Sequence, residues 1–177
     1  MADAHSSLSS FRESLLEHAF IHSILQEAWH RKLVIEVLRP EVDSGVDIVF
    51  ELGTVVRHIQ LKSTQSGSKV AGWNVNLSLA MKPCAAVVLI EFKDEADGMR
   101  LNYRFFGGPP GHPLDLDGLR VAKHSKGNAE GVKHKRPALR TVPIGKFARV
   151  ADVGGLFALL FGVSSPTTSL SPRRVER

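Results

Sequence analysis

Two strand-like runs held apart by only two residues constrain this chain more than any other feature. Val46 to Leu52 and Val55 to Ser63 are rich in apolar and β-branched residues, and Gly53-Thr54 is all that separates them. Glycine at the first of two loop positions suits a type II′ hairpin turn, whose twist matches that of paired strands. With that loop Leu52 faces Val55, paired positions sum to 107, and Asp47 stands opposite Gln60 and Val49 opposite His58. Side chains alternate along a strand, so Asp47, Glu51, His58, Gln60 and Lys62 share one face while Ile48, Phe50, Ile59 and Leu61 share the other. The Cβ atoms of a directly opposed pair lie about 4.5–5.5 Å apart.

The rest of the chain reads as alternating elements around that hairpin. Ser10-Phe11-Arg12-Glu13 fits a capping box and precedes a run with apolar residues at three- and four-residue steps, predicting a helix from about Phe11 to His30 with Glu13 serving the cap. Leu33 to Leu38 is β-branched and halts before Pro40, as a strand does. Ala85 to Phe92 is a nearly unbroken apolar run, expected of a strand covered on both faces. Arg100 to Phe106 alternates as a further strand. Trp73 to Lys82 has a period of two, yet a buried strand with a parallel neighbour needs a crossover, and the segment is assigned to a helix on that ground. Gly107 to Pro113 and most of the basic stretch behind it read as loop, Val150 to Phe161 as a closing helix, and 164–177 as a disordered basic tail. The expected architecture is one α/β domain over 1–163, a mixed central sheet with helices on both faces.

Composition narrows the function classes. The 177 residues, 43% of them hydrophobic and 23% charged, are ordinary for a globular chain and argue against disorder. One cysteine, Cys84, excludes an internal disulfide framework and a multi-thiolate zinc site, and it reads as a small buried hydrophobe in a reducing compartment. No basic stretch followed by an apolar run opens the chain, so no signal peptide is read and a cytoplasmic location is expected. The longest apolar stretch, Ala85 to Ile90, is far short of the ~20 residues that span a bilayer. Phosphate-loop, dinucleotide and serine-hydrolase motifs are absent, and His18 and His22, although on one helical face, lack a third ligand at zinc spacing.

Charge is uneven. Between Leu119 and Arg149 there are nine basic residues and one acid, Glu130, in a chain whose net charge is +5. A localised excess of this kind favours a polyanionic partner. Lys123, Lys126, Lys133, Lys135 and Arg136 are the candidate phosphate contacts, and Phe147 is the one aromatic residue of the stretch, so base stacking has little support. A solvated basic loop is the plainer reading.

A carboxylate, an amide oxygen and a lysine on one sheet face suggest a site for Mg²⁺, which takes hard oxygen ligands and keeps several waters. The same face also admits a cross-strand ion pair with no chemistry. Gly45-Val46-Asp47-Ile48-Val49, followed by Ile59-Gln60-Leu61-Lys62 and preceded by a helix bearing Glu17, resembles the PD-(D/E)xK nuclease superfamily, the restriction-endonuclease-like fold, over roughly residues 10 to 92. That resemblance implies an αβα sandwich and Mg²⁺ or Mn²⁺ as cofactor. It also implies Asp47 and Gln60 as metal ligands, Leu61 as a ligand through its carbonyl, Lys62 as the residue that activates water, and Glu17 as an additional acid. Gln60 stands where an acid is commoner, which removes a charge from the site. The expected activity is metal-dependent hydrolysis of phosphodiesters in nucleic acid, DNA foremost. A catalytically inactive nucleic-acid-binding module on the same fold is the alternative, and an accessory subunit for an acidic protein a third. The oligomeric state stays open, a homodimer included.

Overall fold

A computed structural model describes residues 2–42, 44–124 and 134–163, with side chains from residue 8 onward. The predicted tail, 164–177, lies outside the described residues, as do Asp43, Lys126 and Lys133.

The hairpin forms as its loop length dictates. Strands β2 (Ile48–Leu52) and β3 (Val55–Gln65) pair antiparallel with Leu52 opposite Val55, Val49 opposite His58 and Ile48 opposite Ile59. Gly53 has φ +58° and Thr54 keeps a negative φ, as a type II′ turn requires. The central sheet has six strands in the order β1-β2-β3-β5-β6-β9, with β1 at Glu36–Leu38, β5 at Ala85–Glu95, β6 at Gly98–Gly107 and β9 at Ala148–Arg149. Only β3 and β5 run parallel; every other pair is antiparallel.

Helices α1 (Ala2–His30) and α3 (Val153–Phe161) cover one face. Leu16, Phe20, Ile24 and Ala28, each a turn apart on α1, pack with Ile48, Phe50, Ile59, Val88, Ile90 and Phe157. Three corrections follow for this half of the chain. α1 starts at Ala2 and not Phe11, so Ser10 is no N-cap and Glu13 is a mid-helix residue. The first strand is only the last three residues of the predicted one. The closing helix starts at Val153, where Asp152 caps it by accepting the Gly155 N–H at 2.7 Å.

The other face carries a second sheet instead of a large helix. Trp73 to Lys82 was assigned to a helix, but β4 (Gly72–Asn76) is a strand and only the four residues of α2 (Leu77–Ala80) are helical. The crossover between parallel β3 and β5 is real, yet a strand makes most of it, in keeping with the period of two. β4 pairs with β8 (Lys135–Pro143), and β8 with β7 (Arg120–Lys123). Much of the basic stretch is therefore strand, not loop. Trp73, Val75, Leu79, Val87, Leu89, Val142 and Phe147 make the second core. β5 feeds both cores alternately, which explains its unbroken apolar sequence.

Arg57, fully buried on β3, ties the layers together. Its guanidinium donates to the carbonyls of Gly108 (3.0 Å) and Leu159 (3.2 Å) and to the Cys84 sulfur (3.2 Å), and it stacks 5.5 Å from the Phe105 ring centre. The Leu159 carbonyl is in the last turn of α3, where a cation also meets the negative end of the helix dipole. Cys84 is buried as expected, but it works as an acceptor, from Arg57 and from the Gly111 N–H.

Candidate active site

The site arises because β3 is much longer than β2. β2 begins at Ile48, opposite Ile59, while β3 continues to Gln65, so the β2 side of β3 is uncovered from Leu61 onward among the described residues. Asp47 stands at that step. Its own N–H donates to the Ile59 carbonyl (2.8 Å), and its carboxylate accepts the Leu61 N–H (2.6 Å), taking over from the strand that has ended. The N–H and C=O of one strand residue point to the same side, so the Leu61 carbonyl faces the same uncovered edge as the Asp47 carboxylate.

Gly45 brings the chain to this step. It has φ +78°, and a Cβ there would lie 2.6 Å from the Asn76 Cβ, so the backbone passes β4 in a way only glycine permits. Asn76 caps α2 by accepting the Ser78 N–H, and the Ser78 hydroxyl bonds back to the Ser44 carbonyl.

An open cleft of about 410 Å³ lies at the overhang, lined by Glu13 and Glu17 of α1, by Asp47, by Leu61, Lys62 and Ser63 of β3, and by Leu16, Trp73 and Ile90. The structure thus brings Glu17, Asp47, Leu61 and Lys62 to one cavity. Asp47 is exposed and Lys62 half-buried. Glu17 is held by Arg39, whose guanidinium is 2.8 Å from its carboxylate and 3.4 Å from His18 Nε2.

Gln60 is placed differently. It stands opposite Asp47 by register, as expected, but its side chain is 6% exposed, does not line the cleft, and has an Oε1 with no hydrogen-bond partner. A buried carbonyl oxygen of this kind is an anomaly, since almost all such atoms find a donor or a cation. Among the described residues no three His, Cys, Asp or Glu side chains form a ready metal cage. The donor set that could hold a hard divalent cation is mixed: the Asp47 carboxylate, the Leu61 carbonyl, and Glu17 or Glu13, with Gln60 Oε1 as the unsatisfied oxygen nearby in register. Such a set suits Mg²⁺ or Mn²⁺, which keep much of their water shell.

Sequence reasoning missed one acidic member of this cleft and the cation that holds another in place. Glu13 lies one turn before Glu17, and that i, i+4 spacing signals a shared face; assigning Glu13 to a cap concealed it. Arg39, the partner of Glu17, carries no spacing signal at all. His58, on the metal-bearing face in the sequence reading, lines a separate cavity with Glu51, Lys82 and Arg39. Its Nδ1 is buried and unpartnered, and its pKa is lowered by burial first and by Lys82 second, against an upward pull from Glu51.

The basic residues that can be placed form a ribbon. Lys123 of β7 sits directly opposite Lys135 of β8, and Ala122 opposite Arg136. All three cations are exposed. Like charges in directly opposed positions are destabilising. On β8, 137–139 have no partner across on β7, and Arg140 secures that bulge through the Pro137 carbonyl (2.8 Å). Lys123 and Lys135 lie three residues of β7 beyond the Arg120–Thr141 pair, which is next to Val142, the register partner of Trp73; that makes roughly 13 Å of strand.

Compared with protein-family models, curated proteins and solved structures, the chain matches none. No helix among the described residues is long and apolar enough to cross a membrane.

Proposed function

We propose that this chain is a divalent-metal-dependent nuclease of the PD-(D/E)xK kind, hydrolysing phosphodiester bonds in DNA on a restriction-endonuclease-like core whose second face carries a sheet in place of the expected helices. The observation that carries the reading is the meeting of Asp47, the Leu61 carbonyl edge, Lys62 and Glu17 in one open cleft at the step between β2 and β3.

Mg²⁺ or Mn²⁺ bound at Asp47, Leu61 and an α1 glutamate supplies Lewis-acid polarisation and a water of lowered pKa. The remaining roles fall to the chain itself. Lys62 places an ammonium beside the phosphoryl group, where it orients water and offsets the negative charge that develops. Arg39 holds Glu17 on the cleft wall. Lys123, Lys135 and Arg136 hold the nucleic-acid backbone through salt-dependent contacts.

The test is cleavage of supercoiled plasmid and of single-stranded DNA with Mg²⁺ or Mn²⁺, comparing wild type with Lys62→Ala. Cleavage should require metal and fall roughly 10²–10⁴-fold in the variant. Cleavage that survives in Lys62→Ala overturns the assignment. The second reading, an inactive nucleic-acid-binding module, draws on the burial of Gln60 away from the cleft; salt-sensitive DNA binding with no cleavage under either metal would select it.

A further inference from the structure

We infer that the outer face of α1 is a self-pairing seam that joins two copies of this chain. The inference is independent of the nuclease reading. α1 packs Leu16, Phe20, Ile24 and Ala28 into the core, as one amphipathic face should. A second series runs along the opposite side: Leu8, Phe11, Leu15, His18, His22, Leu25 and Trp29, spaced alternately by three and four residues over the whole described length. That is the a/d pattern of a coiled-coil seam, in which each knob needs a hole on a facing helix.

The apolar side chains of the seam are exposed within one copy, where its polar neighbours are Arg39 at His18 (3.4 Å) and the Lys32 ammonium 5.0 Å from the Trp29 ring centre. Leu8 is 64% exposed, Phe11 67% and Trp29 72%, with Leu15 and Leu25 exposed as well. At 100° per residue it centres roughly 160° from the core stripe, so nothing packed against the core stripe can cover it. Glu13 and Glu17 lie near the core side of the helix, which leaves the cleft free in a paired arrangement.

Three considerations make a second copy the occupant. First, the five apolar side chains present on the order of 500–600 Å² in one copy, most of the ~800 Å² per partner that a specific interface buries. Second, the seam is complementary to itself. Its flanking positions are Ser14 and Ile21 on one side and Arg12, Ala19 and Gln26 on the other. Arg12 turns towards Phe92, with its guanidinium 5.3 Å from that ring centre, so like charges do not confront each other across a two-fold axis. Third, the chain's own segments outside the description offer no apolar counterpart: 125–133 contains Val132 as its one large apolar residue, and 164–177 only Leu170 and Val175.

The experiment is sedimentation velocity on the full chain from about 1 to 100 µM, on wild type and on the double variant Phe11→Glu/Trp29→Glu, with helix content and thermal midpoint measured alongside. Wild type should run at about twice the 19.4 kDa chain mass, with a thermal midpoint that rises with concentration. The variant should run as a folded monomer, its self-affinity weakened by roughly a hundredfold or more. Both substituted positions are solvent-facing, so folding is retained; His22→Glu provides the same test should the double variant lose helix content. Wild type that remains monomeric at 100 µM overturns the inference, whether acrylamide then finds Trp29 open (bare, or reserved for another protein) or shielded (covered by the chain itself). A dimer that survives both variants overturns it too.

Discussion

Asp47 joins a structural task to a proposed chemical one, and two substitutions separate them. Its carboxylate accepts the Leu61 N–H at 2.6 Å, at the point where β2 no longer covers β3. Hydrogen bonds to charged groups contribute about 1.5–3 kcal/mol. Asp47 is exposed, and water reaches the freed amide once the carboxylate is gone, so Asp47→Ala should cost about 1 kcal/mol. For a chain of this length that lowers the thermal midpoint by about 2–4 °C. Asp47→Asn retains an acceptor oxygen in nearly the same place and should melt within about 1 °C of wild type. The chemical task responds in the opposite order of subtlety. Removing the formal charge withdraws the carboxylate that the Leu61 N–H fixes at the overhang, and affinity for a hard cation follows ligand charge. Titration calorimetry with Mn²⁺ should show binding to wild type and at least a roughly tenfold loss in both variants. Asn at 47 binding Mn²⁺ as tightly as Asp would refute the ligand assignment, and Asp47→Ala melting with wild type would refute the capping bond.

Three further substitutions probe the frame around the site. Arg57→Met strips donors from the Gly108 and Leu159 carbonyls, each worth about 1–3 kcal/mol when left unpaired, against some relief from burying a cation; urea unfolding should show a net loss of about 2–4 kcal/mol, and equal stability would refute the clamp. Lys135→Glu should move two observables in opposite senses, raising stability by up to about 0.5 kcal/mol by ending the Lys123–Lys135 confrontation, while weakening DNA binding and flattening its log–log salt slope by about 1. Anisotropy titrations with unchanged affinity and slope would remove the ribbon from the interface. His58 has its pKa lowered in the folded chain, chiefly by burial, so the unfolded chain binds the proton more readily: stability is full above about pH 6.5 and declines as pH falls from there through the folded value. The wild type should lose more stability between pH 7.5 and 5.5 than His58→Gln, and parallel losses would show that another group governs the acid limb.

The hairpin was legible because its loop is only two residues long: once Gly53-Thr54 is a turn, the register and both faces follow without tertiary information. The crossover was harder. β3 and β5 are parallel and joined by a crossover, but a crossover need not be a helix, and the alternation of Trp73, Val75 and Leu77 was the better guide for β4. β8 hid behind its charges, since Lys135 and Arg136 face solvent and Arg140 bonds carbonyls of its own bulge, leaving Val142 as its one buried apolar anchor. The start of α1 escaped because no side chain from Leu8 to Leu15 joins the core, whose first α1 member among the described residues is Leu16. Gln60 could be assigned to a face but not to a depth; its burial depends on a second sheet that no local pattern announces.

The overhang of β3 raises a problem that the proposed site also answers. Strand edges with unpaired N–H and C=O groups invite pairing with other chains, and proteins commonly guard them with charge or with side chains that occupy the edge bonds. Here Asp47 takes the first uncovered N–H, and Lys62, Glu13 and Glu17 surround the segment that follows. An incoming strand would have to desolvate all of them, whereas a hydrated cation and a phosphodiester bring charges that match. The groups that keep a sixth-residue-and-beyond extension of β2 from forming are thus the groups proposed to hold a polyanion's reacting centre, and the short β2 is the feature on which both depend: lengthening it by two paired residues past Asp47 would close the edge and eliminate the cleft together.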